Sequence, residues 1–561
     1  MIKNAEIQFH RGNTPFDLFS ENQYFGILEI EMNKTSATTK RQEILFSIDV
    51  SGSMLSECKD GRSKMEHAKN TTKKIIEVLS NLEDKTEKPN IWVSVNGFDS
   101  EVKEILPWTK INKSELSNII EQIENLIPRD STNIELALKE AEKSLKNIEQ
   151  RRRSTRTQKT EKTQKTHIFL TDGNATDGET NPFILSKMTS ESGYREESEK
   201  TQNTFVGLSS DHNGHLLQKL ASSTKDGTYY FINDAQHSGV VFGEIVYEIL
   251  YKAVEEVEIK IENGEIYDYK TNSWSNTIKI KSLVGEWKKT YHIRTTKPKK
   301  VKAIINGNLC AENTNLEKEV LISGKYNDLT KFILRQRTQE LLYETTCILS
   351  KELDLKYEDV EDNEKRKMYL KYPYQYEEEP DRDANTDADA DYLDKGKSKR
   401  RELKDKKNTI KNMLKDFMDK MSMFMEENKL DKDEFYVCIY EDMKTTYKTL
   451  YKNNAFMYSC ARQHSQGRQC SYSPRYEDGN DTDIDDNVFR LSPSPIRRKR
   501  KDNNINVFSH LTMENTTPTQ RKLMRDISGY ISSSSPPLVL DKNINIDEME
   551  PLTEMENIFL G

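Results

Sequence analysis

Cysteine is sparse in this chain of 561 residues. The six cysteines (Cys58, Cys310, Cys347, Cys438, Cys460 and Cys470) are scattered, and no C-x-x-C pair occurs. That argues against a zinc finger or a disulfide framework and for a reducing, intracellular and cytoplasmic setting. Long apolar runs are absent too: none reaches the roughly 18–20 residues of a membrane span. The N-terminal MIKNAEIQFHRGNTPFDLF lacks the unbroken apolar stretch of a signal peptide. Charge of one sign is missing as well. The 85 Lys and Arg stand against 93 Asp and Glu, for a net charge of −8, so no nucleic-acid partner is expected. Nor is there a G-x-x-x-x-G-K-[ST] phosphate loop. Ser51 and Ser53 lie in Val50-Ser51-Gly52-Ser53 rather than in a G-x-S-x-G elbow. His67 and His167 are isolated, and His67 is expected to face solvent on a helix. An enzyme is therefore not expected.

What is present is pattern. The run EILFSIDV (43–50) reads as a strand covered on both faces. SKMEHAKNTTKKIIEVLSNL (63–82) sets Met65, Ala68, Ile75, Ile76 and Leu79 on one helical stripe. NIWVSVNGF (90–98) and an edge-like EVKEILPW (101–108) read as strands; helices over 114–126 and 133–148 follow. THIFLTDG, NTFVGL and GTYYFIN are further strands, and a closing helix is expected over 240–254. Strands alternating with helices predict an α/β fold with a doubly wound, mostly parallel sheet at 41–254.

Period-two alternation then predicts a β-rich extension over 255–326. The segment 1–40 is a candidate to lend it a strand through NQYFGILEIEM. Helical character is expected over 327–372 and 409–474, with a charged, solvated linker over 373–408. Residues 475–561, rich in Ser, Pro, Asn and Asp, are expected to be a disordered tail. With 32% charged residues and a mean hydropathy of −0.85, the whole length cannot be packed core.

The chemistry concentrates in DVSGS. Asp49, Ser51 and Ser53 leave one central strand, and Asp172 ends another in IFLTDG. Thr132, just before a helix in PRDSTNIELAL, can turn its hydroxyl over the same rim. An open parallel sheet presents its ligand site at these carboxyl ends. Oxygen ligands without His or Cys suit magnesium, with manganese or calcium as alternatives, rather than zinc or copper. Hydroxyls carry little charge, so such a cation stays electrophilic and wants another anionic ligand.

In these residues and their order, D-x-S-x-S then Thr then T-D-G, the chain resembles the von Willebrand factor A domain. The resemblance implies a metal-ion-dependent adhesion site at Asp49, Ser51, Ser53, Thr132 and Asp172. The serines and Thr132 would approach Mg²⁺ directly and the aspartates largely through water, while a partner protein supplies a Glu or Asp. Residues 22–350, with TFVGLSSDHNGHLLQKLASS and GTYYFINDAQ among them, look like the plant and protist branch that pairs this domain with RING or other ubiquitin-pathway modules. AFMYSCARQHSQGRQCSYS (455–473) shares that likeness more loosely. This chain has no RING cysteines, has Asp130-Ser131-Thr132 where the branch has Gly-Gly-Thr, and carries its own insert over 149–166.

The expected function is a metal-dependent protein–protein interaction module. A ubiquitin-pathway adaptor for an enzyme on another chain, and a structural protein with a vestigial metal site, stand as alternatives. Three weaker signals remain. NTDADADY (385–392) has spaced aspartates but lacks the Gly and Glu of a calcium loop. PIRRKRK (495–501), beside Ser492-Pro493 and Ser494-Pro495, is a basic cluster that reads equally as a nuclear address or a solvated charge run. The Met-rich helix over 409–428 is expected to pack on its own domain.

Overall fold

The chain opens with two antiparallel strands, β1 (Ile2–His10) and β2 (Tyr24–Met32), before the α/β region begins. β3 (Gln42–Asp49) is buried along its whole length, as its unbroken apolar sequence requires. Then come α1 (Lys64–Asn81), β4 (Ile91–Phe98), β5 (Val102–Lys110), α2 (Leu116–Ile123) and α3 (Ile134–Ser154). β6 (Gln164–Thr171), α4 (Pro182–Ser190), β7 (Thr201–Leu208), α5 (Gly214–Ser223), β8 (Thr228–Ile232) and α6 (Ser238–Leu250) complete the region. This computed structural model describes residues 1–11, 23–58, 60–82, 90–154, 163–190, 201–311, 314–371, 385–469 and 516–528. The basic cluster at 495–501 and its neighbouring Ser-Pro pairs lie outside them.

The six strands run in the order β5-β4-β3-β6-β7-β8. Every neighbouring pair is parallel except β4–β5, so the fold is the expected mostly parallel α/β sheet with an antiparallel edge. Pro107 falls where the β4–β5 register slips, a place where a strand tolerates proline. From β3 the chain winds to β4 on one side and later to β6 on the other. The carboxyl ends of β3 and β6 therefore flank the switch point, where such sheets open a crevice.

The closing helix α6 stops at Leu250, four residues earlier than its apolar pattern predicts. Residues 252–254 instead begin β9 (Lys252–Glu262), where Val254 pairs with Leu283 and Leu309 and is buried. β10 (Glu265–Asp268), β11 (Ser273–Ser275), β12 (Thr277–Val284), β13 (Lys288–Thr295), β14 (Lys302–Leu309) and β15 (Asn315–Asn327) follow. They join β1 and β2 in a nine-stranded sheet of order β11-β10-β13-β2-β1-β15-β14-β9-β12. The N-terminal strands thus sit in its middle, and their apolar alternation buries Ile7, Leu28 and Ile30.

Four helices follow: α7 (Thr330–Lys371), α8 (Asn385–Glu427), α9 (Glu434–Thr449) and α10 (Ala455–Arg468). Residues 385–408, expected as linker, form the first half of α8. Their six Lys and two Arg, with Leu393 and Leu403, suit a helix, and the Glu402–Lys406 ion pair spans one turn. The helix is anchored farther along by buried Ile410, Leu414, Phe417, Met418, Met421 and Met425. The spaced aspartates of 385–392 lie within this helix, which is not a calcium-loop geometry. On α10, Arg462 is fully buried beside Asp442 of α9.

A last helix, α11 (Pro518–Ser528), lies within the segment expected to be disordered. Thr517 and Gln520 form its reciprocal cap, with Pro518 at the first helical position. Leu523, Met524 and Ile527 are buried in the core that α6 and α1 share. Its backbone comes so close to α6 that a Cβ on Gly243 would sit 2.7 Å from the Met524 Cα. Met524→Ala is expected to cost about 2–5 kcal/mol, read as a lower urea midpoint. The exposed Lys522→Ala should leave the midpoint unchanged; equal midpoints for both variants would show that α11 does not dock.

Candidate functional site

The site is built where β3 and β6 end. Asp49 closes β3 with no exposure to solvent. Its Oδ1 accepts from the Ser51 backbone N–H at 2.8 Å, and its Oδ2 from the Thr171 hydroxyl at 2.5 Å. Burial pushes its carboxyl up to about 6, against the smaller lowering from these hydrogen bonds. The chain then leaves the sheet through a 3₁₀ turn, Gly52–Leu55, which brings the Ser51 and Ser53 hydroxyls within 3.0 Å of each other.

Ser53 donates to Asp172 Oδ1 at 2.7 Å, so the β3 loop and the end of β6 are tied directly. Thr132 arrives from a third loop. That loop is held by Gly52 N–H to Asp130 C=O (3.0 Å) and by Arg129 N–H to Val50 C=O (2.6 Å). Asp130 adopts φ +31°, so an aspartate takes the left-handed turn for which the likeness implies glycine. The Thr132 carbonyl accepts from Thr176 and Asp177, which fixes it against the loop after β6. Asn133 then caps α3 through the Leu136 N–H. A Cβ built on Gly173 would lie 3.5 Å from Thr132 Oγ1, 3.7 Å from Ser53 Oγ and 3.9 Å from Asp49 Oδ2. The five sequence-predicted residues are thus brought to one place.

Sequence reasoning missed three participants. Thr171 orients Asp49 from the neighbouring strand. Lys64, the first residue of α1, is buried and donates to Asp172 Oδ2 at 2.8 Å and to Asp211 at 3.3 Å. Burial alone would lower its ammonium's pKa, but the two carboxylates outweigh that and raise it, so it stays charged. Asp211 belongs to the β7–α5 loop. One signal was available for Lys64: a lysine in the first turn of a helix opposes the macrodipole and needs an acidic partner. His67, expected to face solvent, is instead buried and bonded to Asp60 at 3.1 Å, which pins the loop entering α1.

The donor set fits a hard divalent cation. It offers three hydroxyls and two carboxylates with no nitrogen or sulfur. Among the described residues no cluster of three or more His, Cys, Asp or Glu could hold a metal ion; hydroxyls supply most of this set. The buried Asp49 carboxylate, whose hydrogen bonds come from neutral donors, is the group a cation would relieve.

Residues 43–244 match the von Willebrand factor type A domain. Among solved structures, similarity extends to a von Willebrand factor type A protein from Catenulispora acidiphila, at 15% identity over 63% of this chain and 80% of that one (TM-score 0.39). The pilus adhesin SpaC from Lactobacillus rhamnosus GG shares 12% identity over 56% of this chain and 47% of that one (TM-score 0.30). Proximal thread matrix protein 1 from the mussel byssus, solved with a zinc-occupied MIDAS motif, shares 18% over 39% and 48% (TM-score 0.28). No curated protein matches this chain.

The raised carboxyl of Asp49 has a definite consequence without metal. A folded-state value near 6 lies above the ordinary 3.8, so the folded chain binds more protons than the unfolded one between those limits. The contribution of Asp49 to stability therefore falls as pH rises from about 4 to about 6, then levels. In EDTA, urea titrations at pH 4, 5, 6 and 7.5 should show wild type losing on the order of 2–3 kcal/mol relative to Asp49→Asn over this window. A pH-independent difference would contradict the assignment.

Proposed function

We propose that the von Willebrand factor type A domain formed by residues 43–244 makes this protein a metal-dependent protein-interaction module. In this reading Asp49, Ser51, Ser53, Thr132 and Asp172 hold Mg²⁺, with Mn²⁺ and Ca²⁺ as alternatives, and a partner protein contributes a Glu or Asp. The observation that carries it is the convergence of three hydroxyls and two buried carboxylates at the sheet's switch point. A bound cation supplies an electrophilic position that accepts a carboxylate oxygen.

The chain's own residues do the rest. Asp49 and Asp172 are fixed by hydrogen bonds before any ligand arrives, so little ordering remains to be done on binding. Leu55 and Ile127, each 61% exposed, stand on the two loops that carry Ser53 and Thr132. Arg129, half exposed and 3.3 Å from Asp99, lies on the same rim. This surface favours a partner whose acidic residue is flanked by an apolar side chain. No described helix is long and apolar enough to cross a membrane. The sparse, scattered cysteines support an intracellular, cytoplasmic setting, and the basic cluster at 495–501 supports a nuclear one.

Isothermal titration with Mn²⁺ gives a direct test. Asp49→Ala is expected to weaken Mn²⁺ affinity at least about tenfold and to abolish Mg²⁺-dependent, EDTA-reversible capture of lysate proteins, with an unchanged far-ultraviolet circular dichroism spectrum. A folded Asp49→Ala variant that retains the EDTA-released proteins would sink the proposal.

A further inference from the structure

We infer that Lys64 is a built-in cation of this site, which holds Asp172 and sets the charge that a divalent ion meets there. The inference rests on the metal-site reading and concerns the chain's own residue. Lysine is rarely buried unless paired, and the first turn of a helix is the wrong end for an ammonium. Lys64 accepts both costs, with its side chain 7% exposed. What offsets them is Asp172, fully buried at 2.8 Å, whereas Asp211 at 3.3 Å is 73% exposed and screened by water.

The two site carboxylates are therefore unequal. Asp172 has both oxygens engaged, Oδ1 by the Ser53 hydroxyl and Oδ2 by the Lys64 ammonium. Asp49 accepts only from neutral donors, the Ser51 N–H and the Thr171 hydroxyl. Two carboxylates and one ammonium sum to −1. A divalent cation brings that sum to +1, and a partner's carboxylate brings it to zero. Without Lys64, the cation alone would neutralise the two aspartates, and a carboxylate would leave an uncompensated negative charge. Lys64 thus weakens the hold on the metal and strengthens the metal's hold on an acid. It is a positioning residue, acting through Asp172. α1 presents it rigidly, because Ser63 and Glu66 close a reciprocal cap around its first turn.

The test compares the full chain with Lys64→Met, Lys64→Gln and Lys64→Arg by Mn²⁺ titration at pH 7 and by thermal melting in EDTA and in Mn²⁺. Both neutral variants are expected to bind Mn²⁺ at least about tenfold more tightly than wild type. They should melt lower in EDTA, because Asp172 is left buried without its counter-charge, and gain more from Mn²⁺ than wild type does. Lys64→Arg should stay near wild type. Lys64→Gln leaves a polar amide facing Asp172 and serves if Lys64→Met does not fold. Mn²⁺ binding by the neutral variants alone would overturn the inference together with the metal reading, because the wild-type site would then hold no ion for a carboxylate to join. Wild-type binding with equal or weaker binding by the neutral variants overturns the inference and leaves the metal reading standing. No binding by any of the four overturns both.

Discussion

Two carboxylates buried side by side, Asp49 at the end of β3 and Asp172 just beyond β6, are the constraint on which the site depends. Buried carboxylates must be paired or hydrogen-bonded, and here the surrounding loops are shaped by that demand. The β3–α1 loop folds back so that the Ser51 N–H and the Ser53 hydroxyl reach them. α1 starts where its first side chain reaches Asp172, and Thr171 turns its hydroxyl onto Asp49. The loop before α3 closes the rim through backbone hydrogen bonds to Val50 and Gly52.

Parts far from the rim brace it. The β7–α5 loop carries Asp211, and the N-cap of α5, Asn213, is held by the Tyr357 hydroxyl of α7 at 2.9 Å. His212 is locked between the Ser209 carbonyl and Tyr229, and burial holds its imidazole at about 4, so it stays neutral there. On the opposite side, α6 runs from Ser238, bonded to Thr71 of α1, into β9 of the nine-stranded sheet. The C-terminal helices and the second sheet are in this way joined to the loops and helices around the site.

Much of this was legible in the sequence because the relevant signals are local. The unbroken apolar runs gave β3 and β6, and the oxygen-rich DVSGS and TDG gave the site. What escaped depends on partners distant in sequence. Lys64 acquires its meaning from Asp172, more than a hundred residues away, and His67 is buried because the preceding loop folds over it. α4 is short, and its Phe183 and Ile184 stay partly exposed, so its periodicity is weak. α11 has three apolar residues in a stretch otherwise rich in Thr, Ser and Asn, and only the groove on α6 makes it a helix worth forming. Residues 385–408 hold little to bury, and charge-rich composition alone does not separate a solvated helix from a linker.

A crystal structure grown with Mn²⁺ and read by anomalous scattering would locate the ion at this rim. One strong peak is expected, bordered by the hydroxyls of Ser51, Ser53 and Thr132, with the Asp49 and Asp172 carboxylates beside it. A well-ordered rim without an anomalous peak, or a peak placed elsewhere on the chain, would contradict the metal reading.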